Sequence, residues 1–220
     1  IWDLPSNGSA GDAVVNYHRP SDPPEGVQVL TIDVHRKLDA RNLTPAHELF
    51  HQFENGYTLF KNSWLTEGLC RWSEYALRRG AGKPGPLPRT VHDREHLWSL
   101  SYHACGFWYA LARETDPVGR LGAPADLLAL RYVGTDKAVV EDDVLYGSAL
   151  VKELLEEFDR ADDVASQDRG LAPLDWKESE QRSPANNPYI WDAVIHVCQR
   201  HTGASSALAE MVEALGTVHK

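Results

Sequence analysis

The sequence predicts an α+β protein, mostly helical, with a small β-sheet near its N-terminus. Three observations carry that prediction. From Thr44 onward, apolar residues recur at helical spacing in one segment after another. Before that point, residues 27–34 (VQVLTIDV) form a β-branched, roughly alternating run, which reads as a strand. The 220 residues are 42% hydrophobic and 25% charged, a balance that permits a buried core, so one domain over 1–220 is expected.

The elements follow in order. Residues 1–26 are rich in Pro, Gly, Ser and Asp and read as irregular, so 1–43 is an irregular segment plus an edge strand. Residues 44–79 carry two helical patterns. Residues 80–88 (GAGKPGPLP) are a loop on composition. The segment 99–114 places Leu100, Ala104, Phe107, Trp108 and Leu111 on one helical face. Residues 124–132, 146–158, 189–201 and 205–215 also read as helices, making 90–220 a helical remainder. Between them, 159–188 holds an acidic run and a polar, Pro-containing stretch, expected to be an exposed connection. Cys70, Cys105 and Cys198 fall in helical patterns without a CxxC pair, and an odd count argues against a disulfide framework. Reduced thiols are expected.

Charge narrows the function. Lys plus Arg is 22 against 32 for Asp plus Glu, a formal charge of −10. Such a surface repels phosphate and excludes a nucleic-acid or anionic-membrane binder. The longest apolar run, 104–112, is too short to span a bilayer. No signal-peptide pattern lies near Ile1 and no initiator Met is present, so the chain is expected to belong to a longer product. Compartment and oligomeric state are not readable from these features.

The motif that carries chemistry is His47-Glu48-Leu49-Phe50-His51, an H-E-x-x-H. With 10 His among 220 residues, chance supplies roughly 0.03 such strings per chain. Thr44 is a suitable N-cap, Pro45 suits the first helical position, and Asn55-Gly56 supplies a stop. The motif therefore sits on a helix of about three turns. Residues four apart share a helical face, so His47 and His51 can converge on one metal ion, and neutral imidazole suits Zn²⁺. Glu48 projects beside them, where a carboxylate can take a proton from an activated water.

A catalytic zinc normally has three protein ligands, so a third is needed. The next helical pattern reads WLTEGLCRWSEY over 64–75, with Leu65, Leu69, Trp72 and Ala76 at helical spacing and Glu67 and Glu74 near one another on another face. HELFH followed by WLTEGLCRWSE resembles the gluzincin clan of zinc peptidases, and most of all its alanyl-aminopeptidase type, whose second helix reads W-L-x-E-G-x-x-x-x-x-E. The resemblance implies a zincin-like catalytic domain holding one zinc per chain through His47, His51 and Glu67. It matches Glu74 to the clan's second carboxylate, one shell out, holding a ligand histidine by its free ring N–H. The loop between His51 and Glu67 is shorter than in the aminopeptidase branch, and that branch's glycine-rich motif is missing upstream.

The resemblance also implies an oxyanion donor at the start of a later helix. Tyr102 is the first candidate, His103 the second and Tyr146 a third. It further implies that the 27–34 strand pairs with an extended substrate. The expected function is zinc-dependent hydrolysis of peptide bonds in a peptide or protein substrate, with Glu48 as general base. The alternatives are an inactive zincin-like domain that binds proteins, and a closed structural zinc site recruiting Cys70. His92-Asp93-Arg94-Glu95-His96 also fits the inverted H-x-x-E-H pattern and could line one helical face with His103 as a second metal set. It follows a Pro-rich loop, no helix of the W-L-x-E-G kind supports it, and it reads as a polar helix start.

Overall fold

Helix dominates the chain. The computed structural model describes residues 14–16, 31–33, 43–77, 83–115, 149–172, 175–203 and 205–219. Most of these residues are helical. Among the described residues the α-helices are α1 (Thr44–Tyr57), α2 (Ser63–Leu77), α3 (Val91–Trp98), α4 (Cys105–Thr115), α5 (Ala149–Arg169), α6 (Glu178–Gln181), α7 (Asn187–His201) and α8 (Ser206–Leu215). Short 3-10 turns at Tyr102–Ala104 and Pro184–Asn186 lead into α4 and α7.

The α+β class is therefore corrected to an α-helical one. The small N-terminal sheet is not formed as a layer. The extended residues are β1 (Val14–Asn16) and β2 (Thr31–Asp33), an antiparallel ladder of three residues each with Val15 opposite Ile32. Two strands of that length fall short of the three that give a sheet its own stability. The rest of the 27–34 run, and the helix expected over 124–132, lie outside the described residues. The zincin-like domain implied by the resemblance, with its sheet, is thus not the architecture described here, which is a helical assembly.

Helix α1 begins one residue earlier than its sequence signals suggest. Leu43 occupies the cap position, and Thr44, expected as the cap, is the first helical residue. The helix also runs past Asn55-Gly56 to Tyr57. Its stop is made by a tertiary contact. Asp162 of α5 accepts from Thr58 Oγ1 at 2.8 Å and from the Leu59 N–H at 2.6 Å, and Thr58 turns extended there. Local turn chemistry at Asn55-Gly56 is outweighed by these two hydrogen bonds to a buried carboxyl.

Helix α2 buries Trp64, Leu65, Leu69 and Trp72, the face that its apolar spacing predicts. It meets α4 closely at Gly68. A Cβ there would lie 2.7 Å from Trp108 Nε1 and 2.9 Å from the Ala104 Cβ. The Trp108 indole donates to the Trp64 carbonyl at 2.8 Å and stacks on the Trp64 ring at 5.4 Å. Gly68 is thus required by packing, and its neighbour Glu67 is held at a fixed height on α2.

The connection expected over 159–188 is also corrected. Helix α5 continues to Arg169, and the rest contains α6 and the Pro184–Asn186 turn. Val151, Leu154, Leu155, Phe158, Asp162, Ala165 and Ser166 form one buried stripe at helical period. The acidic run hides that stripe because one of its inward positions is Asp162. Helix α7 packs along α5 and buries Ile190, Trp191, Val194, Ile195, Val197 and Cys198. All three cysteines are free.

Candidate metal centre

Helices α1 and α2 pack against each other, and the site lies between them. Helix α1 supplies His47, Glu48, His51 and Glu54; α2 supplies Glu67, Cys70, Arg71 and Glu74. Spacing of four along α1 brings the two imidazoles together, edge to face, with ring centroids 4.8 Å apart. His47 is buried and His51 is half-buried.

Both rings turn the same nitrogen toward Glu67. His47 Nε2 lies 3.2 Å from Glu67 Oε2, and His51 Nε2 lies 3.9 Å from Glu67 Oε1. One carboxylate thus faces two imidazole nitrogens, one oxygen to each.

The opposite edges are held from behind. His47 Nδ1 lies 3.0 Å from Glu74 Oε1. Glu74 also accepts from Arg71 through both oxygens, at 2.9 and 3.2 Å. His51 Nδ1 lies 3.0 Å from Glu54 Oε2 and 3.1 Å from Cys70 Sγ. The Cys70 thiol donates to the same Glu54 oxygen at 3.3 Å. The other Glu54 oxygen, Oε1, is buried and has no hydrogen-bond partner among the described residues. Glu54 was not among the sequence candidates. Its signal was present: it stands three residues after His51 and seven after His47, on their side of α1.

The electrostatics follow from this packing. Burial pulls the His47 pKa down, but hydrogen bonds to Glu67 and Glu74 outweigh it and raise it to about 9. Glu67 is lowered by its hydrogen bond to His47, against the opposing effect of burial. Burial raises Glu48, with His51 and His47 opposing the rise. Burial raises Glu54 too, and its bond to His51 only partly offsets this. Burial, with Glu54 alongside, pushes the Cys70 thiol well above its ordinary value. Carboxylates on two sides of His47 make the space by its Nε2 favourable for a cation.

Tyr102 stands at the mouth of the site. Its ring lies 5.7 Å from that of His47, burial and the nearby Glu67 carboxylate raise the pKa of its hydroxyl, and half of it is exposed. His103 turns elsewhere, lining a cavity of about 790 Å³ behind α4 together with His96. The 3-10 turn that carries Tyr102 and His103 separates them, because adjacent residues on it point about 120° apart. Tyr146 lies outside the described residues. Among the described residues, His92, His96 and His103 form no group able to hold a metal ion. The group that does is His47, His51 and Cys70, whose ligand atoms lie within 4.8 Å of one another.

No helix among the described residues is long and apolar enough to cross a membrane. Comparison with known proteins returns no match to a family model, a curated protein or a solved structure.

Proposed function

We propose that this chain is a zinc-dependent peptidase in which His47, His51 and Glu67 hold the metal and Glu48 is the general base. One observation carries the reading. Both imidazoles direct Nε2 at the two oxygens of one carboxylate, while Glu74 and Glu54 grip their Nδ1 edges. Two imidazole nitrogens and one carboxylate, each ring fixed by an outer carboxylate, make a donor set suited to a zinc with an open position. Bound zinc supplies Lewis-acid polarisation of a carbonyl and acidification of water.

The chain's own groups do the rest. Glu48 is half-buried beside both histidines, and its raised pKa suits a carboxylate that takes a proton from water and returns it to a leaving amine. Tyr102 brings a hydroxyl to the rim of the site, next to Glu67, where it can donate to a developing oxyanion. Its exposure leaves an approach for an extended substrate.

A second reading is favoured by Cys70, since thiolate ligands mark closed structural zinc sites. The two readings are exclusive at His51. Cys70 Sγ lies at the Nδ1 edge of His51, and Glu67 faces the Nε2 edge of the same ring. One ion cannot use both edges of one imidazole. The same Glu67 contact favours a catalytic arrangement over an inactive, protein-binding domain, because Glu48 is retained beside it.

The deciding experiment loads the metal-free protein with zinc or cobalt and follows peptide hydrolysis. One metal per chain, activity on a mixed peptide pool and at least ~10²-fold loss in Glu48→Gln with metal retained are expected. A sulfur-to-cobalt charge-transfer band together with no hydrolysis overturns the reading in favour of the closed site.

A further inference from the structure

Arg71 lies three residues before Glu74 on α2, so the two share a helical face. A chain of contacts runs inward from it. Arg71 Nη1 reaches both Glu74 oxygens, and Glu74 Oε1 also meets His47 Nδ1. Side-chain exposure falls along the chain from 42% at Arg71 to 9% at Glu74 and 7% at His47. Among the described residues, Arg71 is the one Arg or Lys in an ion pair with Glu54, Glu67 or Glu74.

A carboxylate held by a single imidazole can rotate about its last torsion, which is broad and roughly two-fold. One charged nitrogen shared between both oxygens opposes that rotation, because turning the group would lengthen one of the two contacts. Arg71 is itself restrained, with its guanidinium 5.6 Å from the centroid of the Tyr75 ring. The plane of Glu74 in turn fixes the rotation of the His47 ring, and so the direction of its Nε2.

We propose that Arg71 is a positioning residue of the metal centre, locking Glu74 against His47 Nδ1 so that Nε2 stays aimed at the ion. The inference rests on the zinc reading above. It goes beyond it by assigning part of the metal affinity to a partly exposed residue that never touches the metal. A plain surface ion pair would contribute little to stability and nothing to zinc binding.

The test is a double-mutant cycle on zinc affinity, measured by competition with a chromophoric chelator. Arg71→Ala should weaken zinc about tenfold, the lower end of what a lost outer contact costs. In the Glu74→Gln background the same change should cost less than about twofold, because the residue through which Arg71 acts is already altered. Arg71 makes both contacts through one nitrogen, so Arg71→Lys, which keeps one charged nitrogen, should recover most of the loss, and no recovery would overturn the proposal. Equal losses in both backgrounds, or no loss in the parent, overturn the proposal while leaving the zinc reading intact. If the parent takes up no zinc, the zinc reading fails, and the metal-free protein decides the inference. A slowly exchanging His47 Nδ1–H resonance lost in Arg71→Ala supports the lock; the same resonance in both proteins overturns it.

Discussion

His47 and His51 stand four residues apart on one helix and turn the same nitrogen to the same carboxylate, yet their outer edges meet different surroundings. Behind His47 is Glu74, itself buried but paired with the partly exposed Arg71. Behind His51 is Glu54, 2% exposed, whose other contact is the fully buried Cys70 thiol. Glu54 has no Arg or Lys partner among the described residues. The difference teaches that one motif can be braced in two ways: by a charge relay to the surface on one side, and by a sealed pocket on the other. Where water can enter, a lost contact is partly replaced; where it cannot, the loss is felt in full.

The largest expected effect belongs to the residue that both edges share. Glu67→Ala removes the one group facing both Nε2 atoms, and zinc affinity should drop by more than the ~100-fold limit of outer-contact changes. Retained affinity in a chelator competition would transfer the third-ligand role to Cys70. Next come the two bracing carboxylates. Glu54→Gln and Glu74→Gln each keep an acceptor and lose the charge, so zinc affinity should fall about 100-fold for the first and about 10-fold for the second. The reverse order, measured side by side, would break the comparison between sealed and open edges.

A third expectation follows the sealed side down α1 to its end. Asp162 caps that end from α5, and burial, against its bonds from Leu59 and Thr58, lifts its pKa to about 6. Its folded pKa lies above the ordinary carboxyl value, so between about pH 4 and pH 6 the folded state holds more protons than the unfolded one. Its contribution is therefore most favourable at the acid end and declines as pH rises through this window. Asp162→Asn should flatten that part of the stability–pH curve by roughly 1–3 kcal/mol, read from urea midpoints at several pH values. An unchanged slope would remove Asp162 from the account. The smallest effect is expected of Cys70→Ser. If the thiol only backs Glu54 and His51, zinc affinity should move by no more than about threefold, well under the cost of losing a bracing carboxylate. The cobalt spectrum should also be unchanged, and loss of a sulfur band would sink this expectation.

Much of this was legible in single residues. Leu65, Leu69 and Trp72 recur at helical period, and the face they mark is the buried one. Glu67 and Glu74 are seven apart, close to two turns, and both reach His47. Glu54 was missed because attention to H-E-x-x-H ends at His51, although the same turn-by-turn logic extends three residues further. The 159–188 segment was misread because acidic residues at Asp159 and Asp163 mask a stripe that continues inward through Asp162 and Ala165.

The sequence by itself determined the local matters: that α1, α2, α4, α7 and α8 are helical, which face of α2 is apolar, and that two histidines share one side of α1. Spacing along one chain decides these, because 3.6 residues per turn converts sequence separation directly into direction. Only the tertiary structure decided the rest. It brought Glu67 to face both imidazoles, put Cys70 on the Nδ1 edge of His51 rather than beside Glu67, and ended α1 on Asp162, 104 positions from Thr58. It also left the expected sheet as a three-residue ladder. These outcomes depend on contacts between elements far apart in sequence, with no local period to announce them; the close approach of α2 and α4 at Gly68 and Trp108 is of the same kind.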